Sequence, residues 1–471
     1  MWANGWTAET VLRDHYRCPG EFDVFKPFGR CSDDAGFFKL GAHVCYGHSA
    51  CGSSPEPDVA LPDALHHVCI GRDEAGLPFD PVEIIENLRW ERYMVSGRRP
   101  FWNALRKPYY VLRPLMPVAV RKHFQRAYLK RWREIKFPQW PVDRTVEDIF
   151  ETLVRFSLDA CSRSRMPFVW FWPEGYSGCL TLTHDIETTF GRDYCSTLAD
   201  IDASFGMKSS FQVVPEERYE VPPEFLDMLR AKGAEINVHG LNHDGKLFSD
   251  RQNFLKQAPK INLYAKQYNA AGFRSPVMYR KLEWYPELDF SYDMSVPNVA
   301  HLDPQRGGCC TVMPYFIGNQ LELPLTTAQD YSLFNILESR SIDLWKQQID
   351  LILEKHGLLS FNIHPDYIKM PPFNGVYESL LEYLQQLCKE RNIWIAQPGE
   401  VNKWWRARRE MQLAMNAQNA IEVVGPEANR AVVAYASIEG DRIAYEVPQP
   451  ECAFQNAFGL DRSSFFARVG L

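Results

Sequence analysis

The stretch CLTLTHDIETTFG, residues 179–191, begins as a buried strand and ends in ionisable side chains. Leu and Thr alternate up to Thr183, and then His184, Asp185 and Glu187 arrive within four positions. Burying an unpaired charge is expensive, so this strand end requires a basic partner, a metal, or a place where chemistry happens. Side chains alternate along a strand, which sets Asp185 and Glu187 on one face and His184 on the other. The two carboxylates can then divide labour, one binding a metal and one free as a base, while His184 reads as structural.

Outward from this strand, residues 146–405 repeat one grammar. Strand-like segments CLTLTHD, KSSFQVV, AEINVHG, AGFRSP, LLSFNIHP and NIWIAQP alternate with helical stretches such as PPEFLDMLRAKG and SIDLWKQQIDLILEKHG. The alternation predicts an α/β fold, a parallel sheet under helical cover, either doubly wound or a barrel. No GxGxxG follows a strand and no GxxxxGK[ST] occurs, so nucleotide-binding versions lose support. In both architectures the working edge is the carboxyl end of the strands. Four strand-like segments finish there on ionisable groups: Asp185 with Glu187, His239 followed by His243, Arg274, and His364. HxxxH alone is a weak signal. Beside a carboxylate from two strands earlier it is stronger, because two histidines, one carboxylate and a water form a recurrent catalytic zinc arrangement. Such a metal would also neutralise a carboxylate that is costly to bury.

The flanks are less informative. At 471 residues the chain is long enough for two or three domains. Its net charge of −7 argues against a nucleic-acid-binding role. Residues 1–95 read as a small N-terminal accessory domain, in which His43, Cys45, His48 and Cys51 fit no standard zinc spacing and are taken as packed side chains. Residues 96–145 read as a basic amphipathic connecting segment, with ten Lys/Arg against Glu134 alone over 101–137. Phe124, Tyr128, Leu129 and Trp132 share one helical face there, which suits either packing on the protein itself or peripheral contact with an anionic membrane through 121–133. Residues 406–471 read as a helix and a small β unit. No secretory signal and no apolar run of membrane-spanning length is visible, so a cytoplasmic location, with membrane association through the basic segment, is the expectation.

Five segments in order, THDIE (183–187), HGLNH (239–243), FRSP (273–276), DFSYD (289–293) and FNIHP (361–365), resemble the motifs of the polysaccharide deacetylases of carbohydrate esterase family 4. The resemblance covers about 150–405. It implies a distorted (β/α) barrel of the polysaccharide deacetylase type, here with the N-terminal accessory domain and a C-terminal β-rich extension. It also implies a divalent metal, zinc foremost, and removal of acetyl groups from amino sugars or, less often, sugar hydroxyls. Carried over, Asp185 is the general base, Glu187, His239 and His243 the metal ligands, Arg274 the group orienting the base, and His364 the general acid. Pro276, Asp289 and Tyr292 fall to substrate binding. Two departures stand out. Ile186 occupies the place of the second aspartate in the most familiar first motif, which moves the ligand to Glu187, and the usual downstream Trp is missing after Asp289. The expected partner is an acetylated glycan, or a lipid- or nucleotide-linked sugar intermediate of bacterial-type polysaccharide biosynthesis, with no nucleic acid. Rival readings are a non-catalytic carbohydrate-binding protein on a degenerate barrel and a metal amidohydrolase acting on a small non-sugar amide.

Overall fold

In the computed structural model, which describes residues 7–29, 31–57, 60–94, 129 and 131–448, Gly178–Asp185 (β1) is an eight-residue strand buried along its whole length. Burial on both faces is the signature of a central parallel strand. Around it lie Ser209–Val213 (β2), Glu235–His239 (β3), Gly272–Arg274 (β4), Tyr292–Asp293 (β5), Tyr315–Ile317 (β6), Gln320–Glu322 (β7), Leu358–Asn362 (β8) and Ile393–Ile395 (β9). The sheet order is β6-β7-β5-β4-β3-β2-β1-β8, with β9 pairing the start of β1. Every pairing is parallel except the β6–β7 hairpin.

The sheet curls, and irregular chain bridges its two edges. Leu325 N donates to Val296 O (3.0 Å) beyond β5, while Thr327 N donates to Ser360 O (3.3 Å) on β8. Thr326 and Thr327 also donate their hydroxyls to the carbonyls of Leu358 and Ser360. The result is a mixed α/β fold whose sheet forms a curled half-barrel. Period-two patterning explains its two faces. Leu180, Leu182, Phe211, Val213, Ile236, Val238 and Phe361 join the helices in one apolar core. The alternate residues make a polar face: Asn237 donates to Ser210 Oγ (3.0 Å), Gln212 to Ser210 Oγ (3.3 Å), and Arg274 to Thr183 Oγ1 (2.8 Å).

A second core crosses the boundaries expected at 95, 145 and 405. Helix Thr145–Cys161 and strand Arg165–Val169 pack with Val11, Phe38 and Ile84 from the N-terminal region and with Ala434, Ala436 and Ile443 from the tail. Arg165–Val169 pairs antiparallel with Val433–Glu439, so it belongs to this body rather than to the curled sheet. The N-terminal region is joined to the loop after β4 by a buried ion pair, Arg280 Nε to Glu91 Oε2 at 2.6 Å. Most of the basic connecting segment, with its expected membrane contact, lies outside the described residues. No helix among the described residues is long and apolar enough to cross a membrane.

Candidate metal centre and acid–base groups

Parallel register brings the carboxyl ends of β1, β3, β4 and β8 to one edge, with Arg274 paired to His239 and Asn362 to Thr183. Asp185 closes β1 and is buried. Its Oδ1 accepts from Arg274 Nη1 (3.0 Å) and its Oδ2 from Asn362 Nδ2 (2.8 Å). Burial alone would raise its pKa. The Arg274 guanidinium, with His239 and His364, outweighs that and holds the carboxyl at about 2. Arg274 is itself fixed by Thr183 and by the Met294 carbonyl (3.0 Å).

Glu187 lies two residues on, half-buried, with His243 Nε2 at 3.0 Å from Oε1. Burial opposes its ionisation, but the nearby His243 and then His364 push its pKa well below the usual carboxylate range. The HGLNH segment turns back on itself so that the two imidazole centroids sit 4.9 Å apart. Gly240 enables the turn at φ +65°, and a Cβ there would meet Pro276 Cγ at 2.4 Å. Pro276 thus packs beneath the histidine loop, and His243 takes a left-handed φ of 54°.

These three side chains fit a divalent cation. Ligand atoms of Glu187, His239 and His243 lie within 4.8 Å of one another. Facing a carbonyl, His239 Nδ1 must be the donor in its contact with Arg274 O (3.1 Å), which leaves Nε2 free as a lone-pair donor. Burial lowers the His239 pKa to about 4, so the neutral form that binds metal prevails. Both ring nitrogens of His243 are buried with no hydrogen-bond partner, the contact to Glu187 being misaligned for one. Two donor atoms 3.0 Å apart and out of line for a hydrogen bond are what a shared central ion would leave.

His364 stands across from the triad, its Nε2 3.8 Å from Glu187 and 4.0 Å from Asp185. Burial would lower its pKa, but Asp330 raises it to about 10, with help from Glu187 and Asp185. Asp330 Oδ1 lies 2.6 Å from Nδ1, and its Oδ2 accepts the His364 backbone N–H at 2.8 Å. Asp330 and Asn362 were not singled out in the sequence. Asn362 shared a face with His364 two residues away and was open to the parity argument. Asp330 lies in the irregular stretch after β7, where no periodicity marks it. His184 turns away, bonded to Asp202 (2.8 Å) and the Ile363 carbonyl (3.1 Å).

Two expected substrate-binding residues are not at this edge, which corrects their assignment. Asp289 precedes β5, at the opposite end of the sheet, and is exposed beside Lys266 at 3.7 Å. Tyr292 is the first residue of β5. It points into the polar interior, donating to Asn237 Oδ1 (2.9 Å) and Glu235. Strand polarity explains both: only Asp293, at the carboxyl end of β5, lies toward the site side, and Ser295 holds it at 2.7 Å.

No family model matches the chain, and no curated protein matches it. Solved structures similar to it include a proposed polysaccharide deacetylase from Mycobacterium smegmatis, 18% identical with a TM-score of 0.40, over 50% of this chain and 93% of that one. Another is Puue allantoinase, 14% identical with a TM-score of 0.39, over 50% and 92%. Peptidoglycan deacetylase PdaC from Bacillus subtilis is 13% identical with a TM-score of 0.31, over 49% and 93%. Likenesses of this size establish nothing about activity, which has to come from the side chains.

Proposed function

We propose that the chain is a metal-dependent hydrolase that removes acetyl groups, chiefly from nitrogen, from an amino-sugar-containing glycan or glycan precursor. One observation carries this reading: a metal-type triad, the Asp185 carboxylate and the His364 imidazole share one sheet edge, with His364 within 4.0 Å of both carboxylates, and their neighbours favour the ionised carboxylate and the protonated ring. Glu187, His239 and His243 would hold the cation, zinc foremost, which when bound supplies Lewis acidity toward the acetyl carbonyl and the attacking water.

The remaining work falls to the chain's own groups. Asp185 is ionised and accepts a proton from the attacking water, its two oxygens fixed by Arg274 and Asn362. His364 is protonated and donates from Nε2 to the departing nitrogen, while Asp330 engages Nδ1 and keeps the ring charged. An amine is a poor leaving group unless it receives that proton, and an acid with a raised pKa at this position therefore favours amide over ester substrates.

The test is acetate release from N-acetylated oligosaccharides and from a small acetamide, by the wild-type chain and His364→Ala. Release from the oligosaccharide, lost in the variant with bound metal unchanged, is the expected result. Release from the acetamide alone would move the substrate to a non-sugar amide, and no release from either would remove the catalytic reading.

A further inference from the structure

Away from this edge, a cavity of ≈ 150 Å³ opens where three helices end. Arg17 follows helix Val11–Tyr16, Arg89 ends helix Pro81–Arg89, and Arg408 and Arg409 lie in the last turn of helix Pro398–Glu410. All four arginines line the cavity, and among the described residues Asp14 is the one carboxylate that does. The last helix starts beside the amino end of the sheet, where Gly399 N donates to Glu235 Oε2 (2.8 Å), and Arg406 reaches the Asn319 carbonyl (2.6 Å). The cavity therefore lies on the other side of the sheet from Asp185 and the histidines.

Basic residues at helix carboxyl ends have an ordinary explanation, since each end carries about half a negative charge. Arg408 fits it in part, donating to the carbonyls of His15 (2.9 Å), Val169 (2.7 Å) and Trp170 (3.0 Å). Asp14 pairs with Arg17, and Glu147 and Glu86 act on Arg89, but among the described residues no carboxylate forms an ion pair with Arg408 or Arg409. Arg408 is buried, where its charge is poorly screened. Burial, reinforced by Arg17, pulls the Arg408 pKa down to about 9.

A second observation is independent of charge. Arg17 Nε and Trp405 Nε1, both on cavity-lining residues, are buried without an acceptor. Arg17 spends its other nitrogens on the Arg409 carbonyl (2.7 Å) and Asp14 (2.9 Å). Buried donors normally find acceptors, and here only donors are left over. The cavity holds many times the about 10–15 Å³ that one water needs, and a neutral water would not offset the charge.

We propose that this cavity binds a phosphate group, free or carried on a small organic molecule. A phosphate brings multiple acceptor oxygens, no obligatory donor, and the charge that guanidinium forks match best. Arg409 is exposed and stacks over Phe316 at 4.5 Å, which places a mobile-length cationic side chain at the cavity mouth. The inference does not depend on deacetylation.

The test is calorimetric titration and thermal melting of the full chain with inorganic phosphate, glycerol 2-phosphate and malonate, against sodium chloride of equal ionic strength. Saturable phosphate binding that raises the melting temperature is expected, weakened at least tenfold in Arg17→Gln and in Arg409→Gln. Arg409 is exposed, so that variant should fold even if Arg17→Gln does not. His239→Ala, altered at the metal triad, should bind phosphate as the wild type does. Tighter glycerol 2-phosphate binding would assign the group to an organic carrier, and tighter inorganic phosphate binding to the free ion. No saturable binding, unchanged affinity in Arg409→Gln, loss in His239→Ala, or preference for malonate would overturn the proposal.

Discussion

Asp330→Asn isolates the role of the buried carboxylate behind His364. Asp330 is the largest of the influences that raise the imidazole to about 10 against the pull of burial. The ordinary histidine value is about 6.5, so the interval is about 3.5 pKa units, or about 5 kcal/mol at 1.36 kcal/mol per unit. Asparagine keeps the shape but removes the charge. The remaining carboxylates lie 3.8 and 4.0 Å from the other ring nitrogen and must then oppose burial alone. With the pKa back at about 6.5 or below, pH 8 lies about 1.5 units above it, and only about 3% of the acid form remains. The protonated acid is present below the pKa and lost above it. Wild-type kcat/KM on an N-acetylated oligosaccharide should therefore hold to about pH 9, while the variant falls about 30-fold or more at pH 8 and recovers toward pH 6. A bound cation shifts both profiles the same way, so their separation is the quantity to measure. Superimposed alkaline limbs, or a loss equal at every pH, would refute the argument.

Two further substitutions probe the scaffold. Gly240→Ala should weaken metal binding at least tenfold in competition with a chromogenic chelator, because its Cβ would meet Pro276 at 2.4 Å in a left-handed backbone and push the histidine loop outward; unchanged affinity counts against that role for the turn. Glu91→Gln leaves Arg280 buried without its ion-pair partner and should cost about 3–5 kcal/mol in urea unfolding, and a loss under about 1 kcal/mol would mean the pair contributes little to holding the N-terminal region.

The convergence of Asp185, Glu187, His239, His243, Arg274 and His364 was legible because parallel strands end in register and side-chain parity is fixed along each strand. His184 was separable from Asp185 by the same parity. Asp289 and Tyr292 were misplaced because β5 is two residues long, too short for its polarity to show in the pattern of DFSYD. Asp330 was invisible for a different reason: it reaches His364 from irregular chain whose path depends on how the sheet edges are bridged. The pairing of Arg165–Val169 with Val433–Glu439 was equally hidden, since both read as ordinary β segments and nothing local ties them together. The four arginines of the second cavity come from three helix ends far apart in sequence, each unremarkable alone.

The most direct test of the site is its metal content, measured by elemental analysis of the purified, zinc-reconstituted chain beside His239→Ala and Glu187→Ala. About one equivalent per wild-type chain, lost in both variants, is the expected result. Full metal in Glu187→Ala would move the carboxylate ligand elsewhere, and none in the wild type would contradict the metal-dependent mechanism itself.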